Sequence, residues 1–186
     1  MRNRKATETK ILDAAEEILL QQNFAALGVN AIAAKAGVGK PLVYRYFGSV
    51  DEIGQQLLDR LTPQIIEKQQ QIANKLPNGN KIQTELITLG RVLMSFPVLK
   101  ALLVWELAGG PVSVLSNSAF KELDGDQSNV GLENSSSLPS LMKAAISYLV
   151  LVADKQDEWD GLPLDRPNDL AKLEQQMIGF VKTFNK

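Results

Sequence analysis

The chain has 186 residues, 45% of them hydrophobic and 22% charged, enough apolar material for one medium domain or a small domain joined to a larger one. It contains no cysteine and no histidine, which excludes disulfides, thiol nucleophiles, imidazole bases and the usual zinc sites. The net charge of −1 divides unevenly: residues 1–50 carry seven basic and four acidic side chains, the remainder 13 basic and 17 acidic, so a basic head sits on an acidic body.

In chain order, Ile11, Ala14, Ala15, Ile18 and Leu19 fall at helical spacing. Thr7 is the expected N-cap of this helix, and Asn23 its left-handed end. Arg2, Arg4 and Lys5 before it read as a flexible basic arm suited to phosphates or a minor groove. A short helix is predicted over 29–36, a break at Gly37-Val38-Gly39, and a second short helix over 40–47. A longer helix starts near Ser49 and carries Ile53, Leu57, Leu58, Leu61, Ile65 and Ile72. Pro77-Asn78-Gly79-Asn80 is a turn.

Helices are then expected over 81–96 and 98–108, with Pro97 between them. Residues 122–137, rich in Gly, Ser, Asn and Asp, read as a loop, and helices over 139–154 and 168–184 close the chain. Acidic residues after the basic start spoil a signal peptide, and the apolar run 144–153 is too short to span a bilayer. The expectation is a cytoplasmic all-α protein with no strand and no membrane contact.

Function concentrates in Ala31 to Phe47. Two short helices around a glycine-containing turn are the helix-turn-helix pattern. Ala33 is small where helices cross, Gly37 suits a positive φ, and Pro41 fits a helix N-terminus, where its missing amide proton costs nothing. With Ile32, Val38, Val43 and Phe47 turned inward, Lys40, Pro41, Leu42, Tyr44, Arg45 and Tyr46 form the outer surface. Such a surface reaches phosphates, and arginine also reads guanine edges.

Residues 9–58 resemble the DNA-binding domain of the TetR family of transcriptional regulators. The likeness lies in Ile11, Leu12, Ala14 and Ala15, in Phe24, Ile32-Ala33, Ala36-Gly37-Val38, Tyr44-Arg45-Tyr46-Phe47 and Asp51-Glu52-Ile53. It implies an N-terminal helix-turn-helix domain over residues 1–48, followed by a helical effector-binding and dimerisation domain over 49–186. It assigns Lys40, Pro41, Leu42 and Arg45 to bases, Tyr44 and Tyr46 to the DNA backbone or nearby bases, and Asn30 to an occasional base contact. Three departures stand out: Asn23 replaces a glycine, Gly28 lies where a capping Thr or Ser is usual, and Val50 replaces a phosphate-binding lysine. Gly28 and Val50 favour a second reading, a helical ligand-binding or interaction protein with a degenerate DNA-reading head.

Near the C-terminus, Leu170, Leu173, Met177, Phe180 and Phe184 repeat at spacings of three and four, and Leu141, Ala145, Tyr148 and Val152 line the preceding helix. The resemblance implies that these faces pair with their copies in a homodimer, which a palindromic operator would match. It also implies a small apolar effector that releases DNA, with Met94, Phe96, Trp105, Phe120, Met142 and Tyr148 around it, although a plain core explains most of those side chains. Gly39-Lys40 is no P-loop, because Ala34 and Pro41 occupy key motif positions. No catalytic constellation, metal site or cofactor site emerges, so the expected protein is a DNA-binding repressor rather than an enzyme.

Overall fold

The protein is described by a computed structural model, which covers residues 2–76, 81–115, 144–148, 150–151, 158–159 and 162–163. Helix α1 spans Arg2–Gln22, and a single 3-10 turn follows at Phe24–Ala26. Then come α2 (Val29–Ala36), α3 (Lys40–Phe47), α4 (Val50–Ala73), α5 (Lys81–Ser95) and α6 (Pro97–Leu107). Residues 144–148, 150 and 151 are helical too. The turn expected at 77–80, the loop at 122–137 and the last helix lie outside the described residues. So do Phe120, Leu141, Met142, Val152, Leu170, Leu173, Met177, Phe180 and Phe184.

The fold is all-α, with one small addition. Strands β1 (Glu158–Trp159) and β2 (Leu162–Pro163) form a two-residue antiparallel pair where no strand was expected. They flank Asp160-Gly161 in the sequence, and Asp-Gly is one of the dipeptides favoured in two-residue hairpin loops.

The helical start also differs from expectation. Thr7 does not cap α1 but lies inside it, and Arg2, Arg4 and Lys5 belong to its first turns rather than to a flexible arm. Nothing between residues 2 and 10 breaks a helix, and Arg4 pairs with Glu8 one turn on, Nε to Oε1 2.7 Å. Asn23 ends α1 with φ 78° as expected, but its ψ of 176° is extended, and its side chain accepts from the Ala25 amide at 2.9 Å.

The described chain forms two compact units, Met1–Ile66 with Phe96–Lys121, and Glu67–Ser95 with Glu122–Lys186. In the first, Ile11, Ala14, Ala15, Ile18 and Leu19 are all buried along one stripe of α1. α1 packs against α2 and also against α6, whose Val98, Leu99, Leu102 and Leu103 are buried. Arg60 of α4 reaches two carboxylates of α1, Asp13 at 2.6 Å and Glu16. Such half-exposed pairs contribute little singly, about 0–1 kcal/mol, but they set the register of α4 along α1.

Trp105 sets how α4 meets the segment that follows α6. A Cβ at Gly54 would lie 2.3 Å from the indole Cζ3, and one at Gly110 2.3 Å from its Cδ1. The ring therefore rests directly on two backbones. Val112, which also faces Gly54, and Val114 are buried, and the Glu106 carboxylate accepts from the amides of Val114 (2.8 Å) and Leu115 (3.2 Å). That satisfies donors which no helix or sheet supplies with partners.

In the second unit, α5 buries Leu86, Ile87, Leu89, Val92 and Leu93. The buried polar side chain Thr88 donates to the Thr84 carbonyl at 2.7 Å. Gly90 lets Ile146 approach closely. Ile146 and Val150 are buried, whereas Ala144, Ala145 and Tyr148 are exposed.

Glycine inside α4 costs helix propensity of about 1 kcal/mol, which the indole contact offsets. Gly54→Ala is expected to destabilise the protein by about 1–3 kcal/mol through overpacking against Trp105. Urea denaturation of Gly54→Ala, Trp105→Leu and the double variant checks this: the double variant should be less destabilised than the sum of the singles. Strict additivity would show that the contact does not govern the packing.

Candidate nucleic-acid interface

The helix-turn-helix is built from backbone chemistry at both sides of its turn. Gly37 ends α2 at φ 65°, ψ 35°, a left-handed conformation that lets the Val38 amide bond back to the Ala33 carbonyl at 3.0 Å. Gly39 then caps α3 in an extended conformation, and its carbonyl accepts from the Leu42 amide at 2.9 Å. Pro41 sits in the first turn of α3, where its missing N–H leaves nothing unpaired. At the far end Gly48 adopts φ 75°, and the Ser49 hydroxyl accepts from the Glu52 amide at 3.1 Å, capping α4.

Packing decides which face of α3 is free. Ile32 and Ala33 of α2 and Val43 and Phe47 of α3 are buried, so α3 is held by its back. Lys40, Pro41, Tyr44 and Arg45 are exposed, as is Asn30 on α2. Leu42 and Tyr46, expected on the outer surface, are half-buried. Lys40 and Arg45 form no ion pair among the described residues, and with Tyr44 they make a cationic and aromatic surface on one short helix.

Two further basic groups of the head, Lys35 and Arg4, are engaged. Lys35 of α2 contacts Glu17 of α1 at 2.5 Å, and that hydrogen bond holds the Glu17 carboxyl below its usual range. Arg4 of α1 stands over the ring of Tyr46, its guanidinium carbon 5.4 Å from the centroid. The Glu8 hydrogen bond raises the pKa of Arg4 above its ordinary value. This bridge from α1 to α3 takes the place of the flexible arm expected of Arg4. Its only sequence trace is Glu8 four residues after Arg4.

The two departures at helix starts have structural counterparts. Gly28 caps α2 with no side-chain hydrogen bond, and a Cβ there would meet nothing within 4 Å. Val50 is the first residue of α4, half-buried beside the Ser49 cap.

The residues expected around an effector are placed differently from one another. Trp105 is buried in the first unit between Gly54 and Gly110, and Phe96 is half-buried at the start of α6. Met94 and Tyr148 of the second unit are exposed. Among the described residues, no cluster of His, Cys, Asp or Glu is placed to hold a metal ion, and no single helix is long and apolar enough to cross a membrane.

Comparison with known proteins bears on the head most directly. Residues 11–57 match the family model for bacterial regulatory proteins of the tetR family. Two uncharacterised HTH-type transcriptional regulators, from two strains of Mycobacterium tuberculosis, are each 31% identical over 93 residues. The match covers 50% of this chain and 46% of each relative, so it spans about half of their length. Among solved structures, the transcriptional regulator FadR from Bacillus subtilis, in complex with stearoyl-CoA, aligns with 92% of this chain and 95% of its own at 18% identity and a TM-score of 0.57. A gamma-butyrolactone receptor (ArpA-like protein) aligns with 93% of this chain and 99% of its own at 18% identity and a TM-score of 0.51. At these identities the structural likenesses speak for the fold: an N-terminal helix-turn-helix domain followed by a helical one.

The turn offers its own test. A Cβ at Gly37 would touch nothing within 4 Å, so Gly37→Ala should lose about 1 kcal/mol through backbone strain alone. Gly37→Asn should lose less, because Asn tolerates the left-handed region. Denaturant midpoints of the two variants check the order, and equal losses would point to sterics instead.

Proposed function

We propose that this chain is a transcriptional repressor of the tetR-family type that binds a palindromic DNA operator as a homodimer, a reading supported by the match of residues 11–57 to that family's model. The observation that carries this reading is the free face of α3. Lys40, Tyr44 and Arg45 are exposed on a helix whose back is fixed by Val43 and Phe47. Arg45 and Lys40 read base edges in the major groove, with Pro41 and Leu42 against them. Tyr44, Tyr46 and Asn30 contact the backbone and neighbouring bases.

Residues 1–48 form the reading head in this proposal and residues 49–186 the effector-binding and dimerisation body. Ala145 and Tyr148 form an exposed face on the helical residues 144–148, which supports this reading. With the apolar seam from Leu170 to Phe184, that face would meet a second copy and place two heads about one helical turn of DNA apart. A small apolar effector within the body would release DNA by favouring the conformation that DNA does not select. The reading includes no enzymatic activity and a cytoplasmic location. A ligand-binding protein with a degenerate head is the second reading, favoured by the uncapped Gly28 and by Val50.

Two measurements separate these readings. Operator fragments selected by the purified protein should bind Arg45→Ala and Lys40→Ala about 1–3 kcal/mol more weakly wherever the side chain meets a base. Val50→Lys should tighten binding generally and steepen the salt dependence by about one charge. If Arg45→Ala binds the selected fragment as the wild type does, the assignment of α3 fails. For assembly, Phe180→Glu introduces an unpaired charge into the apolar seam, so sedimentation should show loss of the dimer and DNA affinity should fall. A wild-type monomer at micromolar concentration would remove the dimer.

A further inference from the structure

Seven basic side chains lie in residues 1–50, and Arg4 is one of those the structure describes. Arg4 is held by two partners at once, and one of them belongs to the DNA-reading helix. Its Nε donates to Glu8 Oε1 at 2.7 Å, and its guanidinium covers the ring of Tyr46 on α3 at 5.4 Å. The side chain of Arg4 is 66% exposed, whereas that of Glu8 is 31% exposed. The contact with Tyr46 therefore brings a carboxylate to the border of the DNA-reading helix.

We propose that Glu8 is an internal competitor for Arg4, occupying in the free protein the guanidinium edge that a DNA phosphate takes in the complex. The inference rests on the DNA-binding reading above and adds a regulator of affinity to it. Three features of the pair support it. Arginine grips phosphate and carboxylate through the same planar fork of N–H donors, so Glu8 and a phosphate are alternative partners for one edge. The ring of Tyr46 holds the guanidinium in place beneath either partner, because cation–π attraction does not use those N–H groups. Glu8 precedes the buried stripe of α1 by three residues, so its backbone is fixed and its carboxylate stays within reach.

The consequence is a ceiling on unspecific affinity. Binding that depends only on phosphates follows the number of cations free to displace counterions. With Glu8 in place, Arg4 supplies little of that gain until a phosphate displaces the carboxylate, and Lys40 and Arg45 carry most of the contact. Phosphate contacts hold no sequence information, so the restraint acts equally on every duplex.

The experiment is a cycle of Glu8→Gln, Arg4→Ala and the double variant, with Arg45→Ala as reference. Fluorescence anisotropy measures binding to the selected operator and to an unrelated duplex at several salt concentrations. Glu8→Gln should bind both duplexes about fivefold more tightly near 0.1 M salt, with the salt slope steeper by about one per protomer. In the Arg4→Ala background the same change should leave the slope unaltered. Circular dichroism confirms that each variant folds, which is expected because both side chains are on the open side of α1. A gain equally large without Arg4 would overturn the proposal, since Glu8 would then act only as a general negative charge. So would an unchanged slope in Glu8→Gln while Arg45→Ala weakens binding. If Arg45→Ala also leaves binding unchanged, the DNA-binding reading itself fails and the competitor role falls with it.

Discussion

The buried stripe of α1 is the constraint on which the rest of the first unit depends. Ile11, Ala14, Ala15, Ile18 and Leu19 are nearly inaccessible, and α2 and α6 pack against the helix that carries them. Alanines at two of the five positions let neighbouring backbones come close, while the larger side chains supply the apolar area. Because α2 is fixed to α1 and α3 to α2, the free face of α3 takes its direction from this one stripe. Ionic contacts add register rather than energy: Lys35 ties α2 to Glu17, and Arg60 ties α4 to Asp13 and Glu16.

The same arrangement divides the charges of the head by task. Glu8, Asp13, Glu16 and Glu17 all lie on α1, and all but Asp13 and Glu16, which share Arg60, have a basic partner of their own. Lys40 and Arg45, on α3, form no such pair among the described residues. A helix held by Val43 and Phe47 can thus present unneutralised cations without depending on them for its own stability. For a surface that meets a polyanion this is useful, since cations already paired in the free protein release fewer counterions on binding.

Trp105 illustrates how an aromatic residue within an apolar run acquires its role from distant backbone. Its neighbours in sequence, Leu102, Leu103, Val104 and Leu107, suggest only a buried or cavity-lining helix. Gly54 and Gly110 decide the matter by leaving flat backbone on which the indole lies. Both glycines are visible in the sequence, but no local rule links them to a tryptophan 51 residues from one and five from the other.

What the sequence determined by itself is local. The boundaries of α2 and α3, the left-handed Gly37 between them, the inward Val43 and Phe47 and the outward Lys40, Tyr44 and Arg45 follow from periodicity and turn chemistry, and the structure places them so. Ser49 was legible as the start of α4 for the same reason, since a capping hydroxyl acts within three residues. The early start of α1 was not, because Thr7 is a cap-like residue, whereas in the structure it lies within a helix whose first turns hold the Arg4–Glu8 pair and the Thr9 hydroxyl bonded to the Lys5 carbonyl. Only the tertiary structure could decide that Arg4 meets the recognition helix, that Leu42 and Tyr46 are half-buried, and that α6 returns to pack on α1. Each of these joins residues tens of positions apart, and a helical period records which face is apolar but not which neighbour covers it.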